Sequence, residues 1–360
     1  MIYILSIYFL VFLLSFTDFS KKYNNLGVNL SIILLSILAG FRNVGGKDFE
    51  AYRYLYETGL SIGKTEVGYN LTNTFFHSIG FSYNIFLFII SFISLYILIK
   101  SFQKISIYPK LSLLLYMGTY FFFYNMVLNR QMIAVSLLLW IIFLWDKNKI
   151  YSLILLFVAF SFHKSIIIIL PFLFIFDLAK NKKYIWMFLF IIGTSLALFV
   201  TPQNLMDIIF SGETMVNDRI GGYLLRQENN IVSYNVEIFE YIKLLVMILI
   251  IIPITKRLYK DIKTSIWLFF YFIGAIFLIW SSKYEIMFRL FMYFDLSFII
   301  LLPYCLEIYL SKLFLSKKQS KIIKIFVYCL IGVIAISSIY YRASNFSGFS
   351  EYKFYFMENL

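Results

Sequence analysis

The sequence predicts an all-α protein that crosses a membrane many times, as a polytopic bundle of about twelve transmembrane helices. Of its 360 residues, 61% are hydrophobic and 21% are aromatic, and the mean hydropathy is +0.82. Soluble domains are typically about 45–50% apolar. Apolar runs of about 20 residues, long enough to span a bilayer, recur along the chain. No polar stretch is long enough to build a soluble core, so we expect residues 1–360 to form one integral membrane domain.

The twelve predicted spans have ends defined to within a few residues. The first 20 residues contain no Lys or Arg, which a secretory signal would carry, so the first run is expected to remain as a span. The sixth and seventh spans are short and are expected to be tilted, broken or partly re-entrant. The spans are Ile2–Phe16, Gly27–Phe41, Asn84–Ile99, Leu111–Val127, Gln131–Trp145, Ile150–Phe162, Ser165–Phe176, Tyr184–Thr201, Ile238–Ile254, Ser265–Ser281, Ile286–Leu310 and Ile322–Tyr341.

The formal charge of +13 comes from 32 Lys and Arg residues against 19 Asp and Glu residues. In a soluble protein this balance would suggest nucleic acid, but here it fits the excess of cations in cytoplasmic loops, so no nucleic-acid partner is expected. Of the 32 cations, 19 lie in one alternating set of short loops. We therefore expect this side to be cytoplasmic, with both termini on the outer side of the cytoplasmic membrane.

The arginines are distributed differently from the lysines. Seven of the eight arginines lie on the predicted outer side. Membrane insertion does not require Arg there, whereas its planar fork binds phosphate or carboxylate in bidentate fashion. The pattern predicts an outer site for an anionic substrate, with phosphate as the first candidate. The alternative is that these arginines pair with lipid phosphates or with outer carboxylates, which include Asp48, Glu50, Glu57 and Glu66.

Two long segments lie between spans on the predicted outer side. In residues 42–83 we expect two short helices at the membrane interface, one capped by Asp48 and one beginning near Val67. Their tyrosines, arginines and carboxylates could line a sugar-binding groove, or the rings could form an interfacial aromatic belt. Residues 202–237 contain Gly221-Gly222 and Arg219, and are expected to form a lid or an acceptor-binding loop.

Charged or titratable side chains also interrupt the apolar runs, where a lipid-facing charge costs several kcal/mol. Arg130 precedes Gln131 at the start of one span, and His163 and Lys164 separate two others. Arg289 lies in the eleventh span with Tyr293 four residues later, and Asp295 could pair with this arginine only loosely. We interpret these groups as a buried cationic site; structural ion pairs are the alternative.

Four motifs in order resemble the EpsG family of membrane polysaccharide polymerases, relatives of the Wzy-type repeat-unit polymerases. The family's patterns are Arg…Gly-x-Asp…Tyr, Glu-x-Gly-Tyr, Arg-Gln-x-x-Ala…Ala-x-x-x-His-x-Ser and Arg-x-x-x-Tyr. The matching stretches of this chain are RNVGGKDFEAY, TEVGYNLTNTFFHSIG, LNRQMIAVSLLLW…FVAFSFHKSIIIILP and FRLFMY. The resemblance runs from about Arg42 to Tyr293, and the loop 202–237 matches no part of it.

The resemblance implies an enzyme that joins oligosaccharide repeat units carried on polyprenyl diphosphate, at the outer face of the cytoplasmic membrane. The product would be an exopolysaccharide, a capsule or an O-antigen. We expect no cofactor and no metal site, since the carrier is part of the substrate and no DxD motif occurs. Expected partners are the lipid-linked oligosaccharide, membrane lipid, a chain-length regulator and a flippase.

The candidate residues, all but Arg219 within the matching stretches, have expected roles in this reaction. Arg130 and Arg289, then Arg42, would stabilise the departing diphosphate, and His163 would act as the base. Asp48 and Glu66 are alternative bases or acceptors of hydrogen bonds from sugar hydroxyls. The remaining expected substrate-binding residues are Tyr52, Tyr69, Gln131, Lys164, Arg219 and Tyr293.

Two rival functions use similar residues. A flippase for the same lipid-linked units would also need cations facing a cavity, but is expected to use both membrane faces and to show inverted repeats, which the sequence lacks. Another membrane transferase, such as a ligase or an acyltransferase acting on polysaccharide, stays open. An acyl donor from the cytoplasm would favour a histidine on the inner side, whereas His163 is predicted to lie outside.

Overall fold

The fold is all-helical within the part of the chain that the structure, a computed structural model, describes. The prediction of an all-α protein is confirmed there, since no β-strand occurs among these residues. One isolated antiparallel bridge joins Arg42 to Phe354. The described residues are 1–19, 24–45, 47–59, 65–180, 193, 238–281, 285–313, 315–345, 349 and 352–357.

The chain divides into two compact units. Unit 1 comprises Met1–Ile167 and Tyr309–Leu360, and unit 2 comprises Ile168–Ile308. Unit 1 contains the first eight helices and the last one, and in it α2 packs on α5 while α7 packs on both α5 and α8. These helices are α1 (Ile2–Ser15), α2 (Asn24–Gly40), α3 (Lys47–Glu57), α4 (Val67–Ser78), α5 (Tyr83–Ile105), α6 (Pro109–Thr119), α7 (Asn129–Trp145), α8 (Lys149–Phe162) and α15 (Lys317–Asn345).

Unit 2 is built around one long buried helix, α12, which packs against α13. Its last helix, α14, runs on past the end of the unit. The helices are α9 (Ile169–Ala179), α10 (Ile238–Ile251), α11 (Thr255–Lys260), α12 (Ile262–Ser281), α13 (Glu285–Asp295) and α14 (Phe298–Lys312).

Six helical stretches among the described residues are long and apolar enough to cross a membrane. They are Ile2–Phe19, Tyr83–Ile105, Ile238–Lys260, Ile262–Ser281, Met287–Lys312 and Lys317–Asn345. Three shorter apolar helices, Asn25–Gly40, Arg130–Trp145 and Lys149–Phe162, coincide with predicted spans. The predicted span Tyr184–Thr201 lies outside the described residues, so the total of about twelve stays a prediction.

Two predicted spans are divided in the structure. In place of the span Leu111–Val127, α6 ends at Thr119 and a π-helical turn covers Phe122–Val127. The cause is a tertiary contact, because Arg342 of α15 donates hydrogen bonds to the carbonyl oxygens of Gly118 (3.1 Å) and Thr119 (2.7 Å) at the end of α6. The span Ile286–Leu310 is likewise two helices, α13 and α14, separated by a turn.

Candidate functional site

Three predicted site residues from different elements meet in unit 1, and we call Glu66, Arg130 and His163 the Glu66 cluster. The Nη1 of Arg130 donates to Glu66 Oε2 at 2.5 Å. The other carboxylate oxygen, Oε1, lies 3.6 Å from the Nδ1 of His163. One carboxylate therefore stands between a guanidinium and an imidazole that are 33 residues apart in sequence.

The π-helical turn Phe122–Val127 positions Arg130. Its last bond runs from the N–H of Leu128 to the carbonyl of Phe123 at 2.7 Å, after which α7 begins at Asn129. Arg130 is thus the second residue of a helix that follows a change in backbone direction. Turns with the π-helical hydrogen-bond pattern are rare in proteins overall, and those that occur are often found at functional sites.

A close approach of α4 to α8 brings Glu66 to His163. Glu66 caps the N-terminus of α4 and His163 caps the C-terminus of α8 in extended conformation. Between them, Gly68 lies so close to Ser161 that an added Cβ would be 2.5 Å from its Oγ and 2.9 Å from its carbonyl oxygen. The glycine of the Glu-x-Gly-Tyr pattern therefore permits the helix contact that forms the cluster.

Two tyrosines from the predicted sugar-binding groove adjoin the cluster. The guanidinium carbon of Arg130 lies 5.0 Å from the ring centre of Tyr52, a cation–π contact. The ring of Tyr52 meets the ring of Tyr69 edge-on, with centroids 5.9 Å apart. The helices α3 and α4 that carry these rings begin at Lys47 and Val67, close to the positions expected from the sequence.

The electrostatic environment keeps Glu66 ionised. Burial by itself would raise the pKa of this carboxyl group, but the adjacent His163 ring and the charge of Arg130 outweigh burial and lower its pKa to about 2. A carboxylate with so low a pKa is a weak base near neutral pH. Of the three candidate bases His163, Asp48 and Glu66, this environment disfavours Glu66, whose carboxylate lies beside the His163 ring.

Both partners of Glu66 keep unused hydrogen-bonding atoms. Within the described part of the chain, the Nε of Arg130 and the Nδ1 of His163 are buried and have no hydrogen-bond partner. Arg130 still has a donor for an anionic oxygen, whereas the Nδ1 of His163 faces the carboxylate of Glu66. The side-chain nitrogen of neighbouring Gln131 is also buried without a hydrogen bond among these residues.

Arg42 lies in the same unit but is wholly buried by protein. Its Nη1 donates to the carbonyl oxygens of Ala39 and Asn125, and its guanidinium lies over the ring of Phe49. The backbone of Arg42 forms the isolated bridge with Phe354, and the N–H of Tyr355 donates to the carbonyl oxygen of neighbouring Phe41 (2.9 Å), so this stretch joins the C-terminal segment to the helix bundle. Its expected contact with the diphosphate stays a prediction.

The remaining predicted site residues are not brought into the Glu66 cluster by the described contacts. Lys164 is exposed directly after His163. Asp48 lies in the first turn of α3 rather than before it, and its side chain is outside the described residues, as is the whole of Arg219 with the loop 202–237. Arg289 is half-buried and Tyr293 wholly buried on α13 of unit 2.

The structure gives Asp295 a close partner that the sequence analysis did not name. Asp295 accepts a hydrogen bond from Lys243 of α10, and Lys243 also lies 2.5 Å from Glu240. We call Glu240, Lys243 and Asp295 the Lys243 triad. The sequence signal was available, since Glu240 and Lys243 are one helical turn apart inside an apolar run, where charged residues are usually paired.

The described residues offer no group of three or more His, Cys, Asp or Glu side chains arranged to hold a metal ion. The alternative of simple ion pairing does apply to Arg53, which pairs with Glu57 at 2.9 Å on an exposed face of α3. The Glu66 cluster differs because its three residues come from different elements and because the Nε of Arg130 has no hydrogen-bond partner among the described residues.

Comparison with known proteins gives one match. No curated protein and no solved structure matches the chain. The model of the EpsG family matches residues 25–354, which is nearly the whole chain. These residues include every member of the Glu66 cluster and of the Lys243 triad. The chain therefore belongs to the EpsG family, whose members are polysaccharide polymerase-like membrane proteins.

Proposed function

We propose that this protein is a membrane glycosyltransferase that polymerises oligosaccharide repeat units carried on polyprenyl diphosphate. The observation that carries the proposal is the meeting of Arg130, Glu66 and His163 beside Tyr52 in a member of this family. A guanidinium, an oriented imidazole and aromatic rings are the groups that a diphosphate leaving group, a sugar hydroxyl and a sugar face require.

In the proposed step, a hydroxyl oxygen of the incoming repeat unit attacks the anomeric carbon of the growing chain. The new glycosidic C–O bond forms while the bond between the anomeric carbon and the diphosphate oxygen breaks. The bonding electrons leave with the polyprenyl diphosphate, and the hydroxyl proton passes to His163. No oxidant, reductant or further reactant is needed.

Arg130 supplies the charge that the leaving group requires. Negative charge grows on the diphosphate as the anomeric bond breaks, and a guanidinium stabilises it without proton transfer. Glu66 holds Arg130 in place through Nη1, while Nε stays available for a phosphate oxygen. For Arg289, Arg42, Lys164 and Arg219, binding of the carrier or the acceptor stays a prediction from the sequence.

His163 takes the proton, and Glu66 supports it. An imidazole changes charge near neutral pH, and an ionised carboxylate 3.6 Å from Nδ1 stabilises the imidazolium that forms. The carboxylate is ionised throughout this range because its pKa is lowered to about 2. Proton transfer and leaving-group stabilisation are thereby linked through one side chain.

We place this chemistry at the outer face of the cytoplasmic membrane, with about twelve spans and both termini outside. The distribution of Lys and Arg between the two sets of loops supports this topology. The polymer would be an exopolysaccharide, capsule or O-antigen, made together with a flippase and a chain-length regulator. An impermeant thiol reagent should label a cysteine placed at Glu57 in intact cells and should not label one placed at Lys147.

The direct test uses the full chain reconstituted in proteoliposomes. The substrate is the lipid-linked repeat unit extracted from cells that lack the active protein, and the product is analysed as a size ladder on a gel. We expect a ladder of increasing length with wild type. Transfer of labelled units across the bilayer with no increase in size would instead identify a flippase, and attachment of a single unit to another acceptor would identify a ligase.

A further inference from the structure

The helix α4 has its polar and apolar faces reversed relative to a helix of a soluble protein. Leu71, Phe75 and Ile79 form an exposed apolar stripe, and the side chain of Leu71 is 66% exposed. The opposite face carries Tyr69 and Asn73, which are 1% and 2% exposed. A helix buries its apolar face against the protein unless that face meets lipid, so the exposed stripe indicates contact with the membrane.

The buried face of α4 continues from the Glu66 cluster. Glu66, Tyr69 and Asn73 follow one another at intervals of three and four residues, so they lie on one side of the helix. This side packs toward α3, α5 and α8. A row of polar groups therefore leads from the proposed reacting groups along the interior of unit 1.

Two atoms in this row have no hydrogen bond. The hydroxyl oxygen of Tyr69 and the Oδ1 of Asn73 are both fully enclosed, and neither has a partner in the described part of the chain. Leaving a buried polar atom unpaired costs free energy, and most buried polar atoms in folded proteins are paired. These two atoms lie one helical turn apart beside the candidate active site, and each can form a hydrogen bond with a polar ligand.

The chemistry of these atoms fits a sugar. Burial raises the pKa of Tyr69 despite the nearby Arg130 and Arg42, so its hydroxyl stays neutral and can donate or accept a hydrogen bond. Asn73 Oδ1 accepts. A sugar hydroxyl both donates and accepts, and an aromatic ring beside it, here Tyr52, can stack on the sugar face.

We infer that the buried face of α4, formed by Tyr69 and Asn73, is a subsite that binds the hydroxyl groups of the oligosaccharide repeat unit. This inference rests on the proposed function and adds a specificity role to α4. In it, Glu66 and Arg130 hold the reacting end of the substrate, and Tyr69 and Asn73 hold sugar hydroxyls farther along the helix.

The test measures activity and stability of the same variants. Tyr69→Phe and Asn73→Leu each remove an unpaired polar atom, so neither should lower the thermal unfolding temperature of the purified protein. Each should raise the concentration of extracted lipid-linked repeat units needed for half-maximal rate by about 5-fold to 10-fold, which corresponds to one hydrogen bond to the substrate.

Tyr56→Phe provides the matched control. The hydroxyl of Tyr56 donates to the carbonyl of Phe81 at 2.9 Å, so it is satisfied within the protein. Its removal should lower the unfolding temperature and leave the half-saturating substrate concentration unchanged. If wild type makes a ladder and Tyr69→Phe and Asn73→Leu match wild type in that concentration, the subsite is rejected while the polymerase function stands. If wild type makes no ladder, the proposed function itself fails.

Discussion

The two charged clusters of this chain differ in how far they are enclosed. In the Glu66 cluster the side chains of Glu66, His163 and Arg130 are 13%, 19% and 25% exposed. In the Lys243 triad they are 3–5% exposed. Both clusters pair one cation with carboxylate, and the Glu66 cluster is the more exposed of the two. Charge in an apolar span therefore does not by itself distinguish a reactive site from an internal ion pair.

The two clusters also differ in the balance of their charges. In the Glu66 cluster, Arg130 and Glu66 cancel each other's charge. The triad has two carboxylates around one ammonium, which also lies 5.4 Å and 5.5 Å from the rings of Phe291 and Phe298. An ammonium enclosed by two carboxylates and two rings has no place for a ligand, so the triad is expected to stabilise unit 2.

The largest expected effect is on folding, from Lys243→Met. This change leaves two buried carboxylates without their counter-charge and should lower the free energy of unfolding by about 3–5 kcal/mol. Thermal unfolding in detergent measures it. The triple variant Glu240→Gln, Lys243→Met, Asp295→Asn removes every charge and should recover most of the loss. A stable Lys243→Met variant with a defective reaction would instead give the triad a functional role.

The next largest effect is the pH dependence of the stability that Glu66 contributes to the folded protein. Its pKa in the folded protein is lowered from 4.5 to about 2, so the stability it contributes is complete above pH 4.5 and is lost as the pH falls to 2. At pH 7 the free energy of unfolding of wild type should exceed that of Glu66→Gln by about 3 kcal/mol. This difference should shrink only below pH 4.5. A difference that already shrinks between pH 7 and pH 5 would contradict this environment.

A smaller effect is expected from Gly68→Ala at the contact between α4 and α8. The new methyl group would meet the Ser161 hydroxyl and carbonyl, and α4 would shift away from α8. Glu66 would move relative to His163, and the rate of polymerisation should fall by about 10-fold with little change in substrate affinity. Ser161→Ala, which removes only the hydroxyl, is the control. An unchanged rate in Gly68→Ala would show that this helix contact does not position the cluster.

The smallest effect should come from Arg53→Ala. Arg53 and Glu57 form an exposed pair within α3, and such pairs contribute at most about 1 kcal/mol. We expect wild-type polymer length and a thermal unfolding temperature within a few degrees of wild type. A strong loss of polymer with retained folding would show that the functional surface extends along α3 beyond Tyr52.

Local sequence patterns sufficed for much of the fold and for part of the site. Apolar runs predicted the helices, and Val67 was placed correctly as the start of α4. Arg130 and His163 stood out because charge or polarity is rare in apolar runs. The sequence could not show which side chains would contact one another. The pairing of Asp295 with Lys243 depends on two helices packing together. The break after α6 depends on Arg342, which lies far along the chain.

Asn73 was missed for a different reason. An asparagine on an interfacial helix is ordinary, and only its burial beside Tyr69 marks it as a candidate. The spacing from Glu66 through Tyr69 to Asn73 could have indicated a polar face opposite Leu71, Phe75 and Ile79. That face is recognisable only once the apolar stripe is seen to be the exposed one.

The central claim is that Arg130 and His163 act on the substrate, and that the reaction needs them beyond any contribution they make to stability. The measurement that tests it most directly is the initial rate of polymer formation per folded molecule, for Arg130→Ala and His163→Ala in proteoliposomes with extracted lipid-linked repeat units. We predict that each rate falls by at least about 100-fold at a temperature at which the variant is folded, and that single lipid-linked units remain. Long polymer made at the wild-type rate by either folded variant would contradict the account.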